Sequence, residues 1–247
     1  MILAARCAWD GLTRCVAQVL ACIVTTVNRV DGVYERELDT KMILVANETM
    51  VIFPSATGDP FTGNANSNTL IAESQSVIDS KIGTINYDAG HTFSTGGGGL
   101  STLGGVCDAS NKAQSITGSQ KPVGDPYDID YVAHEMGHNH SGDHTFASTS
   151  ASCAGNGASG YRVEPGSGIS IMAYAGICAP DNDSTHSIPY FHTISFDEMS
   201  TFIASARCLV QTPTTNHTPI VSVDAAAYSI PKSTPFKLTG SGTDADV

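Results

Sequence analysis

The run His134-Glu135-Met136-Gly137-His138, followed by His144, constrains this chain more than any other stretch. Two histidines four residues apart share one helix face, about one turn apart, so both imidazoles can reach a single ion. With Zn–N bonds of about 2.0 Å, a third ligand must come from chain that leaves the helix and turns back sharply. His144 is placed for this, with Gly142 available for the turn. His140 is the competing third ligand, although it points to the opposite side if the helix continues past His138. Glu135, beside the first ligand, can take a proton from a water next to the ion. Chance explains the run poorly. Eight histidines in 247 residues give H-E-x-x-H in roughly one chain in a hundred, and a third histidine at the proper offset in fewer still.

The flanking sequence supplies the helix. It is expected to begin near Pro126 to Asp128, where proline suits the first turn and the Asp128 and Asp130 carboxylates suit the positive helix end. Ile129, Val132, Ala133 and Met136 form its buried stripe. Near the N-terminus, Leu12, Val16, Val19, Leu20, Ile23, Val27 and Val30 recur as the core stripe of an amphipathic helix. That periodicity argues against reading Val16 to Val27 as the apolar core of a signal peptide. No apolar run reaches the roughly 18 residues of a membrane span, and no export signal is visible.

Between these helices, Lys41 to Pro54 reads as one or two buried strands. Gly58 to Asn68 is turn-forming, Leu70 to Ile82 suits a short helix, and Thr84 to Thr95 reads as strand and loop. Gly96 to Gly99 lack the following Lys-Ser/Thr of a phosphate-binding loop. Close approach of another backbone, such as an extended peptide, accounts better for the missing side chains. A last helix is expected from Ser195, with Ser195 and Glu198 as a capping box and Phe196, Met199, Ile203 and Ala206 on one face. After a polar linker at 211–218, residues 219–247 form a strand-like pattern too short to bury a sandwich core. This segment reads as the truncated start of an immunoglobulin-like β-domain.

A net charge of −12 repels a phosphate backbone and removes nucleic acid from the expected partners. Cys107, Cys153, Cys178 and Cys208 are well separated and match no C-x-x-C spacing, which favours two disulfides and an oxidising compartment over a thiolate metal site. Cys7, Cys15 and Cys22 make the total odd, so at least one cysteine lacks an intrachain partner.

At His134 to His144 the sequence resembles the metzincin superfamily, whose motif is H-E-x-x-H-x-x-G-x-x-H followed by a methionine turn. Ser141 occupies the family's glycine position, with Gly142 after it, so Ser141 either adopts φ > 0 or the turn shifts onto Gly142. Ser170-Ile171-Met172-Ala173-Tyr174 matches the methionine turn. Asn28 to Leu38, Asp88 to Cys107, Asp125 to Phe146 and Ile171 to Cys178 are similar to the reprolysin-like (adamalysin-related) branch, especially its bacterial secreted members.

The resemblance implies an α/β, zincin-like catalytic domain over residues 1–210, with a twisted mixed sheet and an irregular lower subdomain. It implies Zn2+ held by His134, His138 and His144, Glu135 as catalytic base, and Met172 and Gly142 supporting the site. A protein or peptide substrate would lie along an edge strand at Gly99, Leu100, Ser101, Thr102 and Leu103. Cys107 would pair with Cys208 and Cys153 with Cys178. The expected protein is a secreted, monomeric zinc endopeptidase; Ca2+ is compatible with it but not indicated by the residues. Met1 to Arg14 do not match the family's first strand, so an incomplete or damaged start with that strand missing is expected. Two other readings stay open: an inactive adhesion or binding module that kept the fold, and a zinc hydrolase acting on a small amide.

Overall fold

Three parallel pairings set the architecture of the computed structural model, which describes residues 2–6, 15–55 and 57–246. Strand β1 (Ile2–Arg6) lies between β2 (Ile52–Phe53) and β3 (Gly90–Ser94), parallel to both. Strand β4 (Gly98–Ser101) runs antiparallel to β5 (Ser115–Gly118), which pairs in parallel with β3. The order is β2-β1-β3-β5-β4, a mixed sheet with β4 at one edge. The expectation of a missing first strand does not hold, because Ile2–Arg6 fills an interior position of the sheet. Five residues that include two alanines are too short and too bland for a period of two to stand out. Cys7 and Leu12 lie outside the described residues.

Helices cover both faces. Helix α1 (Val16–Leu38) buries Val19, Ile23, Val27 and Val30, the expected stripe, and extends it through Val33, Tyr34 and Leu38. Each such apolar side chain contributes roughly 1.5–3 kcal/mol on burial. By length and composition α1 could cross a membrane. Its packing is that of a core helix, since the stripe joins Phe93, Ile129, Val132 and Met136 in one apolar cluster. Helix α2 (Ser67–Ile82) covers the other face, where Leu70 and Ile78 share a second cluster with Ile116. It starts earlier than expected because the Asn66 side chain caps it by accepting from Thr69 N.

Only Ile52–Phe53 of the segment Lys41 to Pro54 is strand. The rest buries Met42 and Val51 from loop and a short 3-10 turn at Glu48–Val51. The Asp31 carboxylate accepts from Met42 N at 2.6 Å, a side chain standing in for a ladder partner.

The helix bearing the histidines is built in three contiguous pieces: α3 (Asp125–Tyr127), a wide π turn at Asp128–Ala133, and α4 (His134–Asn139). It is tied to α1 by Thr26 donating to Asp128 at 2.8 Å, Tyr34 donating to the Ala133 carbonyl at 2.9 Å, and a two-pronged Arg29–Asp125 pair. Helix α5 (Thr193–Ser205) is not capped by Ser195. His192 Nδ1 accepts from Ile194 N, while Glu198 turns away to accept from Asp143 N. Between α4 and α5 the chain is irregular and gathers around Phe146 and the Cys153–Cys178 disulfide. A second disulfide joins Cys107 to Cys208. Cys15 and Cys22 are free thiols.

The chain divides into two compact units, Met1–Leu209 and Val210–Val247. In the second, β6 (Ile220–Val223) and β7 (Gly240–Thr243) form an antiparallel pair whose side chains are all exposed. Phe236 and Leu238, within the strand-like stretch 219–247, lie outside both strands.

Candidate metal centre

The i, i+4 spacing in α4 brings His134 and His138 side by side, and the turn after Asn139 returns His144 to face them. Ser141 carries that turn at φ 75°, so the reversal stays on the family's glycine position. Its strain, of order 1 kcal/mol, is accompanied by Ser141 N donating to the His138 carbonyl and Gly142 N to the Gly137 carbonyl. Gly142 contributes through space instead. A Cβ there would stand 3.1 Å from the Met199 sulfur and 3.2 Å from the Gly137 carbonyl.

The Nε2 atoms of the three histidines converge: His134 to His144 at 3.2 Å, His134 to His138 at 3.1 Å, and His138 to His144 at 2.9 Å. Every Nδ1 is already committed. That of His134 donates to the Ile171 carbonyl at 2.6 Å, that of His138 to Gly142 at 2.7 Å, and that of His144 to Asn156 at 2.6 Å. A neutral imidazole holds one N–H, so each Nε2 presents a bare lone pair to two others. Burial and mutual proximity push His134 well below its ordinary value and His138 down to about 3, and burial lowers His144 as well, which keeps the rings neutral. Three lone pairs at this spacing repel unless a cation lies among them, and roughly 3.3 Å is the separation expected of tetrahedral ligands with bonds of about 2.0 Å. The donor set therefore fits a divalent ion such as zinc.

His140 is not part of this set. Its Nδ1 donates to the Met136 carbonyl at 2.8 Å and its ring packs on Tyr34, making it a buried core histidine.

Glu135 projects beside the triad toward the sheet edge. Burial raises its carboxyl to about 8, opposed by the Ser101 hydroxyl. Its Oε2 is buried and has no hydrogen-bond partner among the described residues. The carboxyl lies against Gly99, where a Cβ would fall 2.1 Å from Oε1. A Cβ on Gly96 would likewise fall 2.0 Å from the Asn64 carbonyl. The glycine run thus makes room for the chain's own groups at these two positions: at Gly96 the expected close approach of another backbone holds, with the Asn64 carbonyl as the neighbour, whereas at Gly99 the neighbour is the Glu135 side chain.

Gly99, Leu100 and Ser101 lie in β4 as expected, whereas Thr102 and Leu103 fall beyond its end. Thr102 N still donates to the Gln114 carbonyl, and Leu103 is exposed. A cavity of about 650 Å3 opens here, bounded by Gly98 and Gly99 on one side and His134, Glu135, Tyr131 and Tyr174 on another.

Met172 is fully buried, its sulfur 2.3 Å from where a Cβ on Gly137 would sit, so it lies directly under the turn between His134 and His138. Sequence reasoning did not give Gly137 this role, although a glycine inside a helix is the signal for such an approach. Glu164 was missed altogether. Its buried carboxylate accepts from Thr145 Oγ1, Ser170 Oγ, Ile169 N and Ser170 N, binding the segment after His144 to the turn that carries Met172. Tyr174 was read only as part of the methionine turn, yet its ring packs on both His134 and His144.

The family model described as metallo-peptidase family M12B, reprolysin-like, matches residues 1–201. The chain belongs to this family. No curated protein matches it. Membership and the histidine triad together suit a zinc-binding metallopeptidase fold. The two disulfides and the reprolysin-like family are typical of extracellular proteins.

Proposed function

We propose that this reprolysin-like chain is a secreted zinc endopeptidase that hydrolyses internal peptide bonds of protein substrates. The observation that carries the reading is the convergence of three bare Nε2 lone pairs beside the unpartnered Oε2 of Glu135. His134, His138 and His144 hold the ion. Zinc at such a site supplies Lewis-acid polarisation of a carbonyl and an acidified water. Glu135 takes a proton from the attacking water and returns it to the departing amine. A cation at the triad also favours the ionised form of Glu135 by placing a positive charge near a carboxyl that burial otherwise keeps protonated. Strand β4 offers its outer backbone edge to an extended peptide, adding main-chain hydrogen bonds that hold the scissile bond beside Glu135. We read residues 219–247 as an immunoglobulin-like β-segment that follows the catalytic unit after the linker at 211–218.

Metal content tests the site. One zinc per chain is expected in the wild type, with loss on His138→Ala and retention in Glu135→Ala. A wild type that takes up no zinc from a zinc-buffered solution would refute the assignment. Zinc without cleavage of any protein would favour the binding-module reading.

A further inference from the structure

The cavity beside Glu135 is lined by a second carboxylate that the proposed chemistry does not use. Asp130 sits in the π turn four residues before His134, about one turn away, and both residues line the cavity. The three acids at the start of this helix have different fates. Asp125 is held by both prongs of Arg29, and Asp128 is buried and accepts from Thr26. Asp130 is held, among the described residues, by His186 Nδ1, which donates to Oδ2 at 2.7 Å, and by Ser187 N, which donates to Oδ1 at 2.9 Å. A carboxylate offers about four acceptor sites, so these two donors leave about half of them free. The Asp130 side chain keeps 14% of its surface exposed and that of His186 keeps 56%. A contact so open to solvent is worth little, and a cation entering the cavity can share the carboxylate or displace the imidazole.

The rest of the wall suits a long basic side chain. No lysine or arginine is among the described residues that line the cavity, and its other carboxylate is Glu135. Tyr131 and Tyr174 also line it. Their rings can pack against the methylene stem of lysine or arginine and attract its charged head. A volume of about 650 Å3 lies within the range of pockets that enclose whole small ligands, so a full-length arginine side chain is admitted. Part of the wall is the loop that Asp130 itself anchors through His186 and Ser187, and this loop closes on Gly176, where a Cβ would stand 2.3 Å from the Thr185 carbonyl oxygen. An apolar side chain entering here would desolvate the carboxylate without giving it a partner, and an acidic one would be repelled.

We propose that Asp130 selects a basic residue, arginine or lysine, next to the scissile bond, so that protein substrates are cut beside a positive charge. The inference rests on the protease reading for the cleavage itself. The preference of the cavity for a cationic side chain stands on Asp130 and is read from binding alone.

Quenched-fluorescence peptides that carry arginine, lysine, norleucine or glutamate at one residue next to the scissile bond test it on the zinc-loaded wild type. The basic peptides are expected to exceed the norleucine peptide in kcat/KM by at least about tenfold, the worth of one charge-assisted hydrogen bond, with glutamate lowest. In Asp130→Asn, whose amide oxygen can still accept from Ser187 N, the ratio of arginine to norleucine is expected to fall to within about twofold. A role confined to anchoring the loop would slow all four peptides together and leave the ratio intact. Binding gives a readout without turnover. To Glu135→Ala, with or without zinc, the arginine peptide is expected to bind more tightly than the norleucine peptide and to shift the Ser187 amide in nitrogen-15 NMR, and adding Asp130→Asn removes both effects. If the wild type cleaves nothing, the protease reading fails while the binding comparison still decides the selectivity. A chain that shows no preference for arginine over norleucine, or that favours glutamate, overturns the proposal, as does an arginine preference that survives Asp130→Asn.

Discussion

Gly99→Ala separates fold from chemistry. A Cβ at position 99 would stand 2.1 Å from Glu135 Oε1 and 2.5 Å from both Cδ and Cγ. Ordinary carbon contacts begin near 3.5 Å, so the carboxyl must withdraw by about 1 Å. The obstructing atoms are the free end of one side chain, and the backbone conformation at Gly99 is open to alanine because its φ is not positive. The stability loss should therefore fall at the low end of overpacking costs, about 1 kcal/mol. For a domain of this size that is a Tm decrease of about 3 °C. A displacement of that length at a reacting group costs about a hundredfold in rate. The expected outcome is kcat down about a hundredfold, zinc content intact and Tm nearly unchanged, read from a quenched-fluorescence peptide assay, metal analysis and thermal unfolding. A variant with kcat within threefold of wild type would refute the placement of Glu135 as the base.

Other perturbations reach different layers. Glu164→Ala strips four donors of their shared acceptor; with one charged hydrogen bond worth about 1.5–3 kcal/mol, a loss of about 3 kcal/mol and weaker zinc retention are expected, measured by denaturant unfolding and competition with a chelator. His91 is neutral when folded, at about 3, and titrates near 6.5 when unfolded. Its contribution is complete above that value and is lost as pH falls toward 3, at about 1.4 kcal/mol per pH unit. His91→Asn should flatten the stability slope of the chelated protein between pH 6 and 4 by one proton, and an unchanged slope would contradict its burial as a neutral ring. The Cys107–Cys208 bridge spans 101 residues and Cys153–Cys178 spans 25. Double serine replacement should cost about 4.7 and about 3.5 kcal/mol respectively on chain entropy, an order that denaturant midpoints would reverse if native strain dominated.

The histidine cluster was legible because its requirements are local. A period of four in a helix and one sharp reversal bring the three histidines together, and both are written in adjacent residues. The core stripe of α1 was legible for the same reason, since Val19 to Val30 repeat at the helix period. What escaped depends on distant groups. Ile2–Arg6 becomes a strand only because β2 and β3 flank it. Ser195 lost its capping role to His192, and Glu198 to Asp143 N, a residue far back in the chain. Glu164 and His91 each sit among acceptors or donors that no spacing rule links to them. The glycines at 96 and 99 announced a close approach, but the groups approaching them, the Asn64 carbonyl and the Glu135 carboxyl, appear only in three dimensions.

The central claim is that Glu135 and a triad-bound zinc together cleave protein. Its most direct test is hydrolysis of an unfolded protein substrate by the zinc-loaded wild type beside zinc-loaded Glu135→Ala. The expected result is internal cleavage by the wild type, abolished by a chelator and restored by zinc, with a drop of at least about a hundredfold in the variant. Cleavage that survives in Glu135→Ala, or persists after the metal is removed, would contradict the account.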